Sequence, residues 1–497
     1  MSGLESHLPA LQVVAPLIFA PVLVMLAGRG VAWGVATLVS AYATFNAISL
    51  AAGALAGRTF NYKLGSWEPP YGIELNVDAL SAILLLVITG ASTLALIASE
   101  RSISAQIEVD RQPLFYAAWL LALAGLSGIV VTADAFNIFV FMEIASLASY
   151  ILIAGGPDRR ALPAVFKYLI IGTIGATFYL IGVGLIYLMT GTLNIADIVQ
   201  RLPQVADQNT VLAAVGFITV GLALKAAVFP LHVWLPNAYT YAPHMVTVFL
   251  AACSTKVQLY VLIRMDFIAF QPNLADHALQ FAQFLMPLAA LGIVVGSAVA
   301  IFEQNLKRLF AFSSIAQIGY IVLGASLVSE LGLISSVVHM FNHALAKGTL
   351  FLAAAGLAMH FSSLTLSDLA GAAKRMPWTM AALVAAGLSL IGIPGTAGFV
   401  SKWYLLSAVL EKGGLGYALA ALIVISSLMA VVYIWRIVET AYFGEPGTDT
   451  ATVREAPTVL LAATWVGALA NVYFGLQPYV PATLATSAAK LLLGAAP

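Results

Sequence analysis

Apolar stretches about as long as a bilayer is thick recur along the whole chain, and short polar loops separate them. About fourteen can be counted, each near the 20 residues that a helix needs to cross the hydrocarbon core: near residues 8–27, 31–55, 77–99, 113–132, 135–155, 164–190, 210–229, 242–263, 278–301, 308–328, 331–358, 378–409, 416–440 and 457–475. Only 9% of the residues are charged, against roughly 25% in soluble domains. The sequence therefore predicts an all-α polytopic membrane protein with about 14 transmembrane helices.

Charge and cysteine usage exclude several function classes. The net charge is 0, and no basic patch or Gly-rich phosphate loop appears, so no nucleic-acid partner is expected. One cysteine, Cys253, excludes an internal disulfide and a cysteine-ligated iron–sulfur cluster; no cofactor is expected. The segment before the first apolar stretch, MSGLESHLPA, has no Lys or Arg, so we expect a retained first span rather than a signal peptide.

The distribution of Lys and Arg over alternate loops predicts the orientation in the membrane. The richer side has Arg29, Arg101, Arg111, Arg159, Arg160, Lys307, Arg308, Lys374, Arg375, Arg436 and Arg454, and the poorer side has Arg58, Lys63, Arg201, Arg264, Lys412 and Lys490. Because the richer side normally faces the cytoplasm, we expect both termini on the outer side of the membrane.

The basic residues that remain inside the predicted spans are all lysines: Lys167, Lys225, Lys256, Lys347 and Lys402. Arginine keeps its proton under almost any burial, whereas a desolvated lysine can release its proton near neutral pH. Lys167 lies close enough to the basic loop at 159–160 to reach the interface with its ammonium group. Lys225 and Lys256 lie too deep for that, which favours a functional role.

One carboxylate, Glu143, stands near the middle of the apolar run FNIFVFMEIASLASYILIAGG. An unpaired charge there costs roughly 3 kcal/mol on insertion scales. The residue is therefore expected to pair with a buried lysine, to handle protons, or to do both.

Two predicted spans are interrupted by Pro and Gly. AAVFPLHVWLPNAYTYAP follows Lys225, and IGIPGTAGFVSKWYLL contains Lys402. Such breaks survive at membrane depth where they are buried in protein or line a wet cavity, and in transporters they mark the ion site. The breaks fall five spans apart, and a unit with an odd number of crossings must re-enter from the opposite face. We expect inverted repeats of spans 4–8 (113–270) and 9–13 (271–440), flanked by spans 1–3 (1–112) and a last span with a tail (441–497).

A third polar array is VVHMFNHALAKGTLF, where His339, His343 and Lys347 recur at every fourth residue along one helical stripe. Two histidines at this spacing can bind zinc, but no HExxH glutamate or third ligand accompanies them. They can also be satisfied core residues, or a proton relay, since histidine exchanges protons near neutral pH.

Several of these motifs together resemble a known family. FMEIASLASYILIA, LALKAAVFPLHVWLPNAY, the STK around Lys256, HALAKGTLF and GIPGTAGFVSKWYL are similar to the antiporter-like subunits shared by Mrp-type cation/proton antiporters and the membrane arm of respiratory complex I, and most of all to the D-type member of the Mrp antiporters. The resemblance implies a pair of Glu143 with Lys225, and a proton route through Lys256 to Lys402. It implies relay roles for His339 and His343, with Lys347 and His232 as further candidates.

The expected function is a proton-translocating subunit of a multi-subunit Na⁺/H⁺ antiporter in a prokaryotic plasma membrane. The alternative is a proton-pumping membrane subunit of a redox complex, an NADH:quinone oxidoreductase or a hydrogenase-type complex. In both cases the chain is expected to be an ion-transport subunit rather than a catalyst, with other integral membrane subunits as its partners. Its expected substrates are protons and, for the antiporter, Na⁺. Neighbouring genes for small antiporter subunits, or for redox subunits, would separate the two.

Overall fold

The protein is almost entirely helical. The computed structural model describes residues 3, 5–25, 29–270, 275–361, 363–445 and 453–494, with the helical backbone alone at 29 and 275–283. The described part contains α1 (Leu8–Met25), α2 (Arg29–Leu55), α3 (Ala79–Ile97), α4 (Glu100–Gln106), α5 (Gln112–Val131), α6 (Ala135–Ala154), α7 (Ala161–Thr190), α8 (Ile195–Arg201), α9 (Asn209–Ala226), α10 (Leu235–Tyr241), α11 (His244–Arg264), α12 (Ala275–Phe302), α13 (Leu306–Ser326), α14 (Glu330–Ala358), α15 (Pro377–Ile391), α16 (Ala397–Leu410), α17 (Gly414–Val438), α18 (Thr458–Leu476) and α19 (Tyr479–Leu492).

Many of these helices match the length of a bilayer core. Within the described ranges, twelve are long and apolar enough to cross a membrane, which confirms the all-α polytopic class. Helix α14 falls outside this set because its middle carries histidines, an asparagine and a lysine. Helices α15 and α16 fall outside it because each is too short. The count of fourteen spans and the inverted repeat stay predictions.

The helices that carry most of the ionisable residues occupy the interior of the bundle. Helix α11 is surrounded by protein on all sides, and α5 and α13 nearly so, whereas α1, α17 and α18 are less than half covered. Large apolar side chains such as Leu38 and Phe45 point outward from α2. The outer helices thus separate the polar interior from lipid.

Both predicted breaks are present. Helix α9 ends at Ala226, Ala227 takes a left-handed conformation with φ of 58°, and α10 begins only at Leu235. The indole N–H of Trp234 donates to the carbonyl of Leu224 at 3.0 Å, which satisfies one acceptor at the helix end.

The second break separates α15 from α16. Helix α15 ends at Ile391 and α16 begins at Ala397. Gly392 and Gly395 have φ of 90° and 87°, a region that side chains with a Cβ rarely adopt. The break therefore leaves the last carbonyls of α15 open to other donors.

A small β-hairpin joins α2 to α3, although no strand was predicted from the sequence. Strand β1 (Phe60–Lys63) pairs antiparallel with β2 (Glu74–Val77), so that Phe60 lies opposite Val77. Asp78 then caps α3 by accepting a hydrogen bond from the backbone of Ser81 at 2.9 Å. The hairpin lies between two spans, where a four-residue strand gives little sequence signal.

Candidate functional site

Glu143 on α6 and Lys225 on α9 form an ion pair. Lys225 Nζ donates to Glu143 Oε1 at 3.1 Å and to Ser146 Oγ at 2.8 Å. The lysine side chain is 4% exposed and the glutamate 28%. Lys225 lies one residue before the end of α9, where the partial negative charge of the helix end favours a cation. The predicted pair is present.

The position of Glu143 follows from the start of its helix. Asp134 precedes α6, and its Oδ1 accepts a hydrogen bond from the backbone N–H of Asn137 at 2.7 Å. Such N-caps typically contribute about 1 kcal/mol. Burial raises the pKa of Asp134, whereas hydrogen bonds from the first backbone amides of α6 oppose that shift. The cap fixes where α6 begins and so how far along it Glu143 stands.

A small polar cavity adjoins the ion pair. It encloses about 270 Å³ of empty space, its open side included, and its polar lining comprises Ser146, Ser149, Tyr168, Lys225, Ser254 and Gln258. Polar partners on several sides are what a buried water requires. Because Ser254 and Gln258 belong to α11, the cavity leads from the pair to the helix that carries Lys256.

Lys256 is fully buried on α11. Its Nζ donates to the carbonyl of Ala251 at 2.5 Å. His339, His343 and Lys347 on the adjacent helix α14 are its electrostatic neighbours. Lys256 thus stands between the cavity and the polar stripe of α14.

The α14 stripe is buried as well. The rings of His339 and His343 stack with their centroids 6.0 Å apart and 8° between their planes. His339 shares hydrogen bonds with Ser401 Oγ at 2.8 Å and Gln317 Oε1 at 2.9 Å. Both ring nitrogens of His343 lack a partner within the described protein.

Lys347 closes the α14 stripe. Its Nζ donates to the carbonyl of Phe310 at 2.6 Å and to the hydroxyl of Ser313. Among the described residues, no group of three or more His, Cys, Asp and Glu could hold a metal ion. A zinc site at His339 and His343 therefore has no third ligand of these types among the described residues.

Lys402 on α16 uses the carbonyls that the second break frees. Its Nζ donates to Ile391 O at 2.9 Å, Leu390 O at 3.2 Å and Ser427 Oγ at 3.0 Å. The ammonium also lies 4.9 Å from the centroid of the Tyr320 ring. Ser401, next to it in sequence, bonds His339, so the stripe of α14 continues directly to this lysine.

Two candidate residues lie apart from the groups described above. His232 stands in the first break, where its half-buried ring stacks on Phe229 with centroids 5.3 Å apart. Lys167 is exposed on α7, as expected for a side chain that reaches toward the interface.

Two loop assignments made from the sequence were wrong. Arg264, assigned to a loop, is buried at the end of α11 and donates to Asp78 Oδ2 at 2.6 Å. Lys307 is also buried, and its Nζ donates to the carbonyl of Ala242 at 2.8 Å. Helix α11 continues as a π-helical turn over Met265–Phe270, beyond the predicted span end at 263, and so carries Arg264 inside.

Several neutral side chains that hydrogen-bond the buried lysines and His339 were not predicted from the sequence: Ser146, Ser313, Gln317, Ser401 and Ser427. Two of them carry a local signal. Ser146 follows Glu143 by three residues on one helix, and Ser401 directly precedes Lys402. The others come from distant segments.

Comparison with known proteins identifies the family. Residues 132–430 match the family model described as NADH:quinone oxidoreductase/Mrp antiporter, transmembrane. The N-type subunit of the NADH-quinone oxidoreductase of Desulforudis audaxviator is 42% identical over 458 residues, 91% of this chain and 90% of that protein. The D-type subunit of the Na⁺/H⁺ antiporter of Alkalihalophilus pseudofirmus is 31% identical, over 77% of this chain and 76% of the relative.

Two solved structures share the fold over almost the full length. A chain of the Mrp complex from Dietzia sp. DQ12-45-1b has a TM-score of 0.90 at 27% identity, covering 99% of this chain and 98% of that one. A chain of an archaeal membrane-bound sulfane sulfur reductase has a TM-score of 0.90 at 30% identity, with the same coverage. With the family model matching more than half of its residues, the chain belongs to the NADH:quinone oxidoreductase/Mrp antiporter family of membrane subunits.

Proposed function

We propose that the chain is a proton-translocating subunit of a multi-subunit Na⁺/H⁺ antiporter in a prokaryotic plasma membrane. The observation that carries the proposal is the proton line, defined as Glu143, Lys225, Lys256, His343, Lys347, His339 and Lys402. Each member touches, or is an electrostatic neighbour of, another member or a shared polar cavity. The line crosses from α6 to α16 inside the bundle.

The first step uses the ion pair. While Lys225 holds its proton, it stabilises the Glu143 carboxylate 3.1 Å away. When either group changes charge, the proton affinity of the other changes too, because the two titrate as a coupled system. Lys225 also lines the cavity, and so do Ser254 and Gln258 of α11. Water in the cavity would therefore connect the pair with the helix that carries Lys256.

The second step runs along α14. Among the described residues, Lys256, Lys347 and the two histidines have no carboxylate as an electrostatic neighbour, so a charge on one disfavours a charge on the next. A proton that enters at one end therefore promotes release further along. His343, with both ring nitrogens free of protein partners within the described residues, is suited to exchange protons through water.

Lys402 is the proposed terminal site of the line. Its ammonium rests on two backbone carbonyls and a serine hydroxyl, all of which accept hydrogen bonds and none of which carries a full charge. The site can therefore hold or release a proton without breaking an ion pair. His232 and Lys167 are left without a step, although His232 remains a candidate for access through the first break.

A redox-driven alternative has support of its own. The relative that is 42% identical is named as a subunit of an NADH-quinone oxidoreductase, whereas the antiporter relative is 31% identical. The same proton line would then be driven by electron transfer in partner subunits. In both versions the partners are other integral membrane subunits.

The proposed orientation places both termini on the outer side, with inverted repeats over 113–270 and 271–440. Impermeant thiol labelling would test it on a background with Cys253 replaced by Ala. A cysteine placed at exposed position 63 should react from outside, and one at exposed position 111 only from the cytoplasm.

The decisive experiment expresses the intact gene set in a cell without its own sodium extrusion and compares Glu143→Ala and Lys225→Ala with wild type. Either change should abolish sodium tolerance and Na⁺-dependent proton movement in everted vesicles, while the complex still assembles. The matched control is Glu68→Ala, which removes the exposed partner of Lys63. Normal transport in both line variants would reject the proposal. Proton movement driven by NADH, but not by Na⁺, would select the redox version.

A further inference from the structure

A long groove, which we call the α3–α14–α18 groove, opens on the outside of the bundle. Its deeper part lies between residues 86–94 of α3, 341–352 of α14 and 466–470 of α18, and encloses about 750 Å³ of empty space, its mouth included. Its lining side chains are apolar apart from Thr349.

The groove continues to the ends of the same helices. A second cavity, of about 510 Å³ with its mouth, is lined by Ile97, Glu100 and Arg101, by Met359, and by residues 457–460. Met359 lies seven residues after Leu352, and Val459 lies seven before Val466. Seven residues are close to two helical turns, so these residues share a face with the lining of the deeper part.

Two glycines keep the deeper part open. A Cβ built at Gly90 on α3 or Gly348 on α14 meets no atom within 4 Å. Empty space inside a protein forfeits the dispersion contacts of its walls. An apolar space that faces the bilayer regains those contacts when a hydrocarbon chain enters it.

The depth of the groove matches one leaflet of a bilayer. Leu86 and Ile97 lie eleven residues apart on α3, about 16 Å along the helix axis at 1.5 Å per residue. That is about half of the ~30 Å hydrocarbon core. A partner helix would instead run the full length of α3 and α18.

The mouth of the groove complements a zwitterionic headgroup. Glu100 and Arg101 are exposed, and neither takes part in an ion pair in the part of the chain that the structure describes. A guanidinium binds phosphate well, and a carboxylate binds an ammonium group. A purely anionic headgroup would meet repulsion from Glu100.

We propose that the α3–α14–α18 groove binds one phospholipid with an ethanolamine headgroup. One acyl chain lies in the cleft beside Gly90 and Gly348, the phosphate contacts Arg101, and the ammonium contacts Glu100. This inference does not depend on the proposed transport function. Because Gly348 follows Lys347 in α14, the bound lipid would seal the bilayer side of the proton line.

The test uses the intact complex in nanodiscs that contain phosphatidylethanolamine with a photoactivatable diazirine on its acyl chain. Labelled peptides are mapped in wild type, Gly90→Leu and Arg101→Gln. The controls are Gly184→Leu, an exposed helical glycine that also has open space at its Cβ, and Arg111→Gln, another exposed arginine.

Wild type should be labelled within 86–94, 341–352 or 466–470. Gly90→Leu should lower that labelling about tenfold, the effect of excluding roughly two methylene groups from apolar contact. Arg101→Gln should lower labelling by phosphatidylethanolamine and by phosphatidylglycerol alike, because it removes the phosphate contact and leaves Glu100, which sets the preference between them, in place. Both controls should behave like wild type.

Three results would overturn the proposal. The first is groove labelling that Gly90→Leu leaves unchanged. The second is equal labelling by phosphatidylglycerol in wild type, which would refute the headgroup assignment. The third is adduct formation with a partner protein, rather than with lipid, by a photo-crosslinking amino acid at position 90. Correct folding of Gly90→Leu is checked by its yield in the assembled complex, and Gly348→Leu provides a second cleft-filling variant.

Discussion

The Glu143–Lys225 pair allows a structural role to be separated from a proton-handling one. At the 3.1 Å that separates Nζ from Oε1, two unit charges attract by about 5 kcal/mol at an effective dielectric constant of about 20. The side chain of Glu143 is 28% exposed, and any water that reaches it reduces this value. Removal of one partner from a buried pair usually costs about 3–5 kcal/mol, so Glu143→Gln should lower the free energy of unfolding by about 3 kcal/mol.

The companion variants complete a double-mutant cycle. Lys225→Gln should cost less, about 1–2 kcal/mol, because the carboxylate that it leaves behind is more exposed than the ammonium that Glu143→Gln leaves behind. In the double variant, two neutral amides can hydrogen-bond to each other and to Ser146. Its stability should therefore return to within about 1 kcal/mol of wild type.

Stability and transport should respond differently in this cycle. Denaturant titration of the purified chain in mixed micelles, followed by tryptophan fluorescence, measures the first. Quenching of a ΔpH-sensitive dye in vesicles that contain the whole complex measures the second. We expect the double variant to recover stability and to stay inactive, because two amides cannot exchange protons. A double variant that transports like wild type would refute the reasoning, and so would single variants as stable as wild type.

Three further predictions address the rest of the site. Lys402→Gln should assemble and lose transport, whereas Lys402→Glu should also lower the assembled yield, because its carboxylate would face the two carbonyls that now accept from the ammonium; blue-native gels and vesicle assays compare the two. His343→Phe should keep the fold, since an aromatic ring can retain the stack on His339, but should lower proton transport at least tenfold, an outcome that near-normal rates would contradict. Gly398→Ala should destabilise the chain by about 1–3 kcal/mol, because its Cβ would collide with the carbonyl oxygen of Ser389; the thermal midpoint should fall, whereas Gly184→Ala should leave it unchanged or raise it.

The membrane environment explains why so much of the fold could be predicted from sequence. Lipid offers no hydrogen-bond partners, so the backbone must form helices, and each helix needs a long apolar run. The two helix breaks could also be predicted, because Pro230 lacks a backbone N–H and Gly392 and Gly395 can adopt a left-handed backbone conformation. These signals are local, and a single sequence contains them in full.

The partners of buried polar groups were not predictable in this way. Arg264 pairs with Asp78 from a segment 186 residues earlier, and His339 bonds Gln317 and Ser401 from two other helices. The residues near Arg264 in the sequence do not indicate that Asp78 is its partner. The arginine was assigned to a loop because the predicted span ended at residue 263. The four lysines of the proton line were located correctly, because their depth within long apolar runs is itself a local property.

The proton line has one acid, Glu143, against four lysines and two histidines. If every basic member were charged at once, five positive charges would be left uncompensated in a medium that hydrates them poorly. In the proposed mechanism, a proton can therefore enter the line only when another proton leaves it. This repulsion between charges, rather than the proton concentration at the entrance, would then limit how many protons move in each cycle.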